Sequence, residues 1–163
     1  MTVARALGPA LLAFALASAW LGAASLVAAV VAPAAFAVLP SRALAGALVG
    51  RVLPVLFWSG ALVGVATLAI TWSLPARAGR VAAAVVLAGT CIAAQLVVAP
   101  RIERVRAAIA GPMDALAPTD PRRLEFGRLH GVSVGLLGLA AVAALVGLVL
   151  LARSFPPFTT HDS

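Results

Sequence analysis

Charge is the scarcest property of this 163-residue chain. Ten per cent of its residues are charged, five of them are acidic, and lysine is absent, so that all twelve basic residues are arginine. So little polarity cannot cover the surface of a soluble domain, and a soluble globular fold is excluded. The single cysteine, Cys91, excludes an intrachain disulfide and leaves the redox compartment open. Also missing are a P-loop, a glycine-rich dinucleotide fingerprint, a nucleophile elbow and a zinc-binding helix pattern. No catalytic residue, cofactor or metal site is assigned on these grounds, and the balance leans away from an enzyme.

What is there is apolar: 63% of the residues, with a mean hydropathy of +1.11. The bilayer is the solvent that suits such a chain. The net charge of +7 does not point to nucleic acid, because the arginines stand at the ends of apolar runs rather than along one soluble face. Anionic lipid headgroups are the expected partner.

Residues 6–41 carry no charge. The apolar run passes through the small residues Ala17-Ser18-Ala19 and continues to Pro33, too long for the core of a secretory signal. A retained transmembrane helix is expected over about 9–32. Pro33 and Pro40 are expected to bracket a connector, and Ser41 to cap the next helix, which nothing interrupts from Arg42 to Trp72, although Pro54 should kink it. A third apolar run, 81–99, holds Thr90, Cys91 and Gln95, and Pro100 is expected to open a separate basic helix up to Ala110. Asp120-Pro121 reads as a helix start, and the last helix should run over about 121–152. Membrane spans are expected at about 9–32, 53–72, 81–99 and 131–152, within one transmembrane domain, 1–153. The tail, 154–163, reads as disordered.

The chain repeats itself. Val30-Val31-Ala32-Pro33 returns as Val97-Val98-Ala99-Pro100, and the Arg, Gly, Leu and Gly of Arg42-Ala43-Leu44-Ala45-Gly46-Ala47-Leu48-Val49-Gly50 return in Arg123-Leu124-Glu125-Phe126-Gly127-Arg128-Leu129-His130-Gly131. The expected fold is therefore all-α, an integral membrane four-helix bundle of two tandem helical hairpins in parallel repeat. Gly46, Gly50, Gly127, Gly131 and Gly135 fall on helical stripes and are expected to let helix backbones approach closely, while Gly60 and Gly64 make a further small-xxx-small pair.

Val30-Val31-Ala32-Pro33 with Phe36, Ala45-Gly46 and Gly50, Pro100-Arg101-Ile102 with Arg104 and Arg106, and Phe126 with Arg128-Leu129-His130 and Ser133 together resemble a family of four-helix integral membrane proteins. That family includes transmembrane protein 205 and similar bacterial proteins with a domain of unknown function. The resemblance covers roughly residues 15–150 and implies a four-helix membrane bundle without bringing a reaction.

The polar residues concentrate at the start of the last helix. His130, Arg123, Arg128 and Glu125, joined by Arg101 and Arg104 after the third span, form the expected functional cluster. Arginine recognises phosphate or carboxylate through paired donors, so Arg101, Arg104, Arg106, Arg122, Arg123 and Arg128 suit an anion-binding mouth as well as lipid anchoring. Glu103 and Glu125 stand at i, i+3 spacing from arginines and read as ion-pair partners. One imidazole supplies one ligand, so a metal or haem role for His130 is the alternative to an interfacial one. The function expected from the repeat is binding or moving a small solute, or assisting a membrane complex or homo-oligomer. The alternatives are redox or haem and metal handling through His130, or a purely structural subunit.

Arginines at the amino terminus, second loop and tail number four (Arg5, Arg77, Arg80, Arg153). The first and third connections hold eight (Arg42, Arg51, Arg101, Arg104, Arg106, Arg122, Arg123, Arg128). The positive-inside rule then places both termini outside a cell membrane, the bacterial inner membrane, with the eight-arginine side cytoplasmic. Thiol labelling of intact cells checks this: a cysteine at Ser163 should react from outside and one at Thr119 should not. Reaction of Thr119 from outside reverses the orientation.

Overall fold

The computed structural model describes residues 3–72, 78–109, 111, 113–153 and 155. Among them the secondary structure is helical, and four helices are long and apolar enough to cross a membrane. Helix α1 consists of an α-helical part, Val3–Leu26, a π turn, Val27–Val31, and a second α-helical part, Ala32–Val38. Helix α2 is Arg42–Trp72. Helix α3 repeats the plan of α1: Ala78–Ala93, a π turn at Ala94–Val98, then Ala99–Ala107. Helix α4 is Pro121–Ala152, preceded by a short 3-10 turn at Met113–Ala115. Length and apolarity together make this a multi-pass membrane protein.

The breaks expected at Pro33 and Pro100 do not occur. Each proline continues its helix, because the residues before it widen into a π turn. Ala32 N–H donates to the Val27 carbonyl and Ala99 N–H to the Ala94 carbonyl, five residues back instead of four. Proline has no N–H and its ring collides with the carbonyl four residues earlier. One extra residue in the preceding turn moves that carbonyl clear. Pro54 lies inside α2 without interrupting it. The first helix thus reaches Val38 rather than 32, and the basic stretch after Pro100 is the end of α3. The expected turn at 73–77 lies outside the described residues, as does the expected disordered tail except for Phe155. The Phe155 ring packs edge-on against Phe14, with centroids 5.9 Å apart.

The caps read from the sequence are made. Ser41 Oγ accepts from Leu44 N–H at 3.2 Å, and Asp120 Oδ1 accepts from Arg122 N–H at 2.8 Å.

Each helix packs against its neighbours in chain order, and α4 returns to α1, which gives an up-and-down bundle. Its interior is built from small residues: Ala13, Ala17, Ala24, Ala83, Ala84, Ala88, Ala140, Ala143 and Ala144 are buried, whereas Leu11, Leu62, Val65, Val142 and Leu145 face outward. In lipid, close backbone packing replaces the hydrophobic drive between helices, and large apolar chains belong on the lipid side. The tightest joint is Gly60. A Cβ there would lie 2.7 Å from both Cys91 Sγ of α3 and the Trp20 indole of α1, so three helices meet at one missing side chain. The same indole donates its N–H to the Leu56 carbonyl at 2.9 Å. Gly64 meets the Ala88 backbone equally closely, with N at 2.7 Å from the Cβ position. Trp58 and Trp72 point outward.

The glycines expected to seat helix on helix are elsewhere. A Cβ on Gly46, Gly127, Gly131 or Gly135 would meet nothing within 4 Å, and one on Gly50 would meet only the Arg106 guanidinium. These positions share helical spacing with an interface, but Gly127, Gly131 and Gly135 face away from the neighbouring helices, and Gly46 and Gly50 face the open space between them. Gly147, by contrast, is buried, 3.6 Å from Ala83 Cβ. Gly60→Leu and Gly64→Val should therefore each destabilise the bundle by about 1–3 kcal/mol or more through overpacking. Gly131→Leu should be close to neutral and Gly147→Leu intermediate. Reversible unfolding in detergent measures the order, and equal loss at Gly131 and Gly60 would contradict it.

Candidate functional site

Beyond the π turns the bundle opens. The last part of α1, Ala32–Val38, stays against α2 without substantial backbone contact to α4, and the last part of α3, Ala99–Ala107, stays against α4. Two jaws result, α1 with α2 and α3 with α4. Between them lies a cavity of about 560 Å³. Such a volume falls in the range of small-molecule sites, roughly 300–1,000 Å³.

Helical periodicity decides which residues line it. From α2 come Arg42, Gly46, Gly50, Leu53 and Phe57; from α3, Gln95, Ala99, Ile102, Glu103 and Arg106. From α4 come Phe126, His130 and Ser133, spaced by four and three residues, and Phe36 adds the tip of α1. The charged groups stand toward the mouth, and the deeper lining is apolar apart from Gln95 and Ser133. Arg106 Nη1 is 3.2 Å from Glu103 Oε1, and its guanidinium also lies over the Phe126 ring, 5.5 Å from the centroid. The His130 ring lies parallel to Phe126 on its own helix, with centroids 6.2 Å apart. Gly50 is what allows Arg106 to reach across the gap. Its Cβ position is 3.3 Å from Arg106 Nη1, space a larger residue would take. Arg42 has no ion-pair partner among the described residues.

The expected cluster is therefore divided. His130 lines the cavity, and with it Arg106, read from the sequence as part of an anion-binding mouth, Glu103, read as its ion-pair partner, and Gln95. Arg101 and Arg104 lie on the opposite face of α3, with Arg104 Nε donating to the Pro100 carbonyl at 3.3 Å. Arg123 turns back to the Leu116 carbonyl at 2.7 Å, while Arg128 and Glu125 are exposed and line no part of the cavity. Glu125 forms no ion pair among the described residues; Arg122 pairs with Asp120 instead, at 2.8 Å. Nearness in sequence grouped these residues, and a 100° turn per residue separates them. Arg42 and Phe126 were missed as cavity residues; the spacing from Phe126 through His130 to Ser133 was the available signal. Thr90 satisfies its hydroxyl on its own helix, at the Val86 carbonyl, 2.7 Å. At the other end of the bundle Arg80, counted above as a loop arginine, is only 6% exposed and borders a void of about 10 Å³ beside Thr67.

Among the described residues no three His, Cys, Asp or Glu side chains come together. The groups that line the cavity are two guanidinium groups, one carboxylate and one imidazole above mainly apolar side chains.

The fold and the cavity define a multi-pass helical membrane protein with a charged-rimmed internal site. The chain belongs to the family described as "Domain of unknown function (DUF4149)", whose model matches residues 15–110. The match takes in most of α1, all of α2 and α3, and ends before α4, which carries Phe126 and His130. No curated protein matches, and no solved structure matches.

Asp120 fixes the start of α4 and with it the placement of Phe126 and His130. The Arg122 side chain, then its backbone N–H, hold the Asp120 carboxyl at about 2, below its usual 3.8. A value lowered by folding means stability that is whole above about pH 4 and lost as pH falls towards 2. Amide protection at Arg122 and Arg123 should fall through that window in the parent protein. In Asp120→Asn the pH dependence should vanish. A drop of equal size in Asp120→Asn would assign it to another group.

Proposed function

We propose that this protein binds a small solute in the cavity between its two jaws, and that movement of the jaws admits or releases it. The observation that carries this reading is the cavity itself: about 560 Å³, lined from all four helices, with Arg42, Glu103 and Arg106 toward one end and Gln95 and Ser133 among the apolar residues of the other. In this reading the protein sits in a bacterial cell membrane with both termini outside, and the arginine-rich mouth faces the cytoplasm among anionic headgroups. A parallel repeat of two hairpins accompanies it. The recurrence of one π turn before Pro33 and before Pro100 supports that repeat, as does the pairing of each distal segment with an adjacent long helix. The likeness to transmembrane protein 205 belongs to the same proposal. A contact with a second copy or another membrane protein would use the outward stripe Gly127, Gly131 and Gly135, which meets nothing in this chain.

Thiol accessibility tests the cavity. In a Cys91→Ala background, Ala47→Cys at the mouth and Ala99→Cys deeper in the cavity should react with a small anionic methanethiosulfonate. Ala143→Cys, in the dry alanine interior, should stay inert. If Ala99→Cys is as inert as Ala143→Cys, there is no solute-accessible cavity and the reading fails.

A further inference from the structure

Resting on the cavity reading, we propose that the occupant is an anionic amphiphile. Its carboxylate or phosphate head lies between Arg42 and Arg106, and its acyl chain lies along the floor formed by Leu53, Phe57 and Ala94.

Three features carry this. The first is charge. Among the described residues the cavity is bordered by two guanidinium groups and one carboxylate, Arg42 and Arg106 against Glu103, an excess of one positive charge. Arg42 stands on one jaw and Arg106 on the other, and both line the same cavity. Guanidinium groups match carboxylate and phosphate oxygens with paired donors. The second is shape. On α2 the lining runs from Arg42 to Phe57 and on α3 from Ala94 to Ile109. Each is fifteen residue steps, about 22 Å at about 1.5 Å per residue. The site is thus long, with its charged side chains toward the Arg42 end and a mainly apolar remainder that includes Gln95 and Ser133, which fits a chain with a head better than a compact ion. The third is access. Past its π turn α1 follows α2 and has no substantial backbone contact with α4, so the two helices part beside the cavity. Entry by that side would admit an amphiphile already dissolved and already oriented among the acyl chains of the bilayer. The water-facing mouth alone would have served a soluble anion.

The test uses the full-length protein in an uncharged maltoside detergent with a diazirine-bearing myristate as probe. Photo-adducts should map to peptides containing Leu53, Phe57 or Ala94. Myristate and myristyl phosphate should displace the probe, whereas myristyl alcohol, acetate and inorganic phosphate should not. Arg42→Gln with Arg106→Gln should weaken binding by about tenfold to a hundredfold, the loss of charge-assisted hydrogen bonds. Arg104→Gln, on the opposite face of α3, should bind as the parent does. Arg106→Lys keeps the charge and should lose less than Arg106→Gln, which separates recognition from misfolding. Displacement by acetate or inorganic phosphate as strong as by myristate would make the ligand a soluble anion and overturn the proposal. Equal displacement by the alcohol, unchanged binding in the double variant, or adducts confined to the outward faces would overturn it as well. Thiol labelling of Ala99→Cys without any specific adduct sinks the amphiphile and leaves the cavity standing. Absence of labelling sinks both.

Discussion

In hydrocarbon no water is available to a backbone N–H or C=O, so every such group must find its partner within the protein. This chain places Pro33, Pro54 and Pro100 inside helices long enough to span a membrane. A break at Pro33 or Pro100 would strand several polar groups at once. The π turns at Val27–Val31 and Ala94–Val98 avoid it by shifting one hydrogen bond to a partner five residues back. The helices survive, but the segments beyond the turns keep substantial contact with only one of the two neighbours that the segments before them pack against. The parting of the jaws, and the cavity between them, follow from that exchange.

Two packing regimes divide the molecule. In the middle of the bundle Gly60, Gly64 and the buried alanines draw backbones together around a few larger side chains, Trp20, Leu56, Phe57, Leu87 and Cys91. At the open end the same kind of residue has the opposite effect: Gly46 and Gly50 line the cavity, and their missing side chains leave it empty. A small residue permits closeness only where a neighbouring helix is aimed at it. Elsewhere it permits volume.

Much of the architecture was legible because the signals are local. The length of an apolar run, a Ser41 or Asp120 cap, and the absence of charge over 6–41 each report a helix without reference to the rest of the fold. The two Val-Val-Ala-Pro motifs were legible as a repetition, though not as π turns, since proline chemistry alone permits either a break or a bulge and surrounding packing decides. The candidate site was half legible. His130, Arg106, Glu103 and Gln95 stood out as polar residues beside apolar runs, but Arg101, Arg104, Arg123, Arg128 and Glu125 stood out equally. Only the facing of each helix, a tertiary property, separates the two sets. Glycine stripes misled for the same reason: spacing identifies a face and says nothing of what lies opposite.

The π turns also set a mechanical scale. Ala32–Val38 is a seven-residue arm, about 10 Å long at about 1.5 Å per residue, and Ala99–Ala107 is a nine-residue arm of about 13 Å. Each is joined to the rigid alanine-packed body through a turn of relaxed hydrogen bonding. Over a 10 Å lever, a rotation of about 6° displaces the tip by about 1 Å. The gape of the mouth is thus an angular quantity, geared up from changes too small to disturb the core, and Phe36 and Arg106 ride at the ends of the two levers.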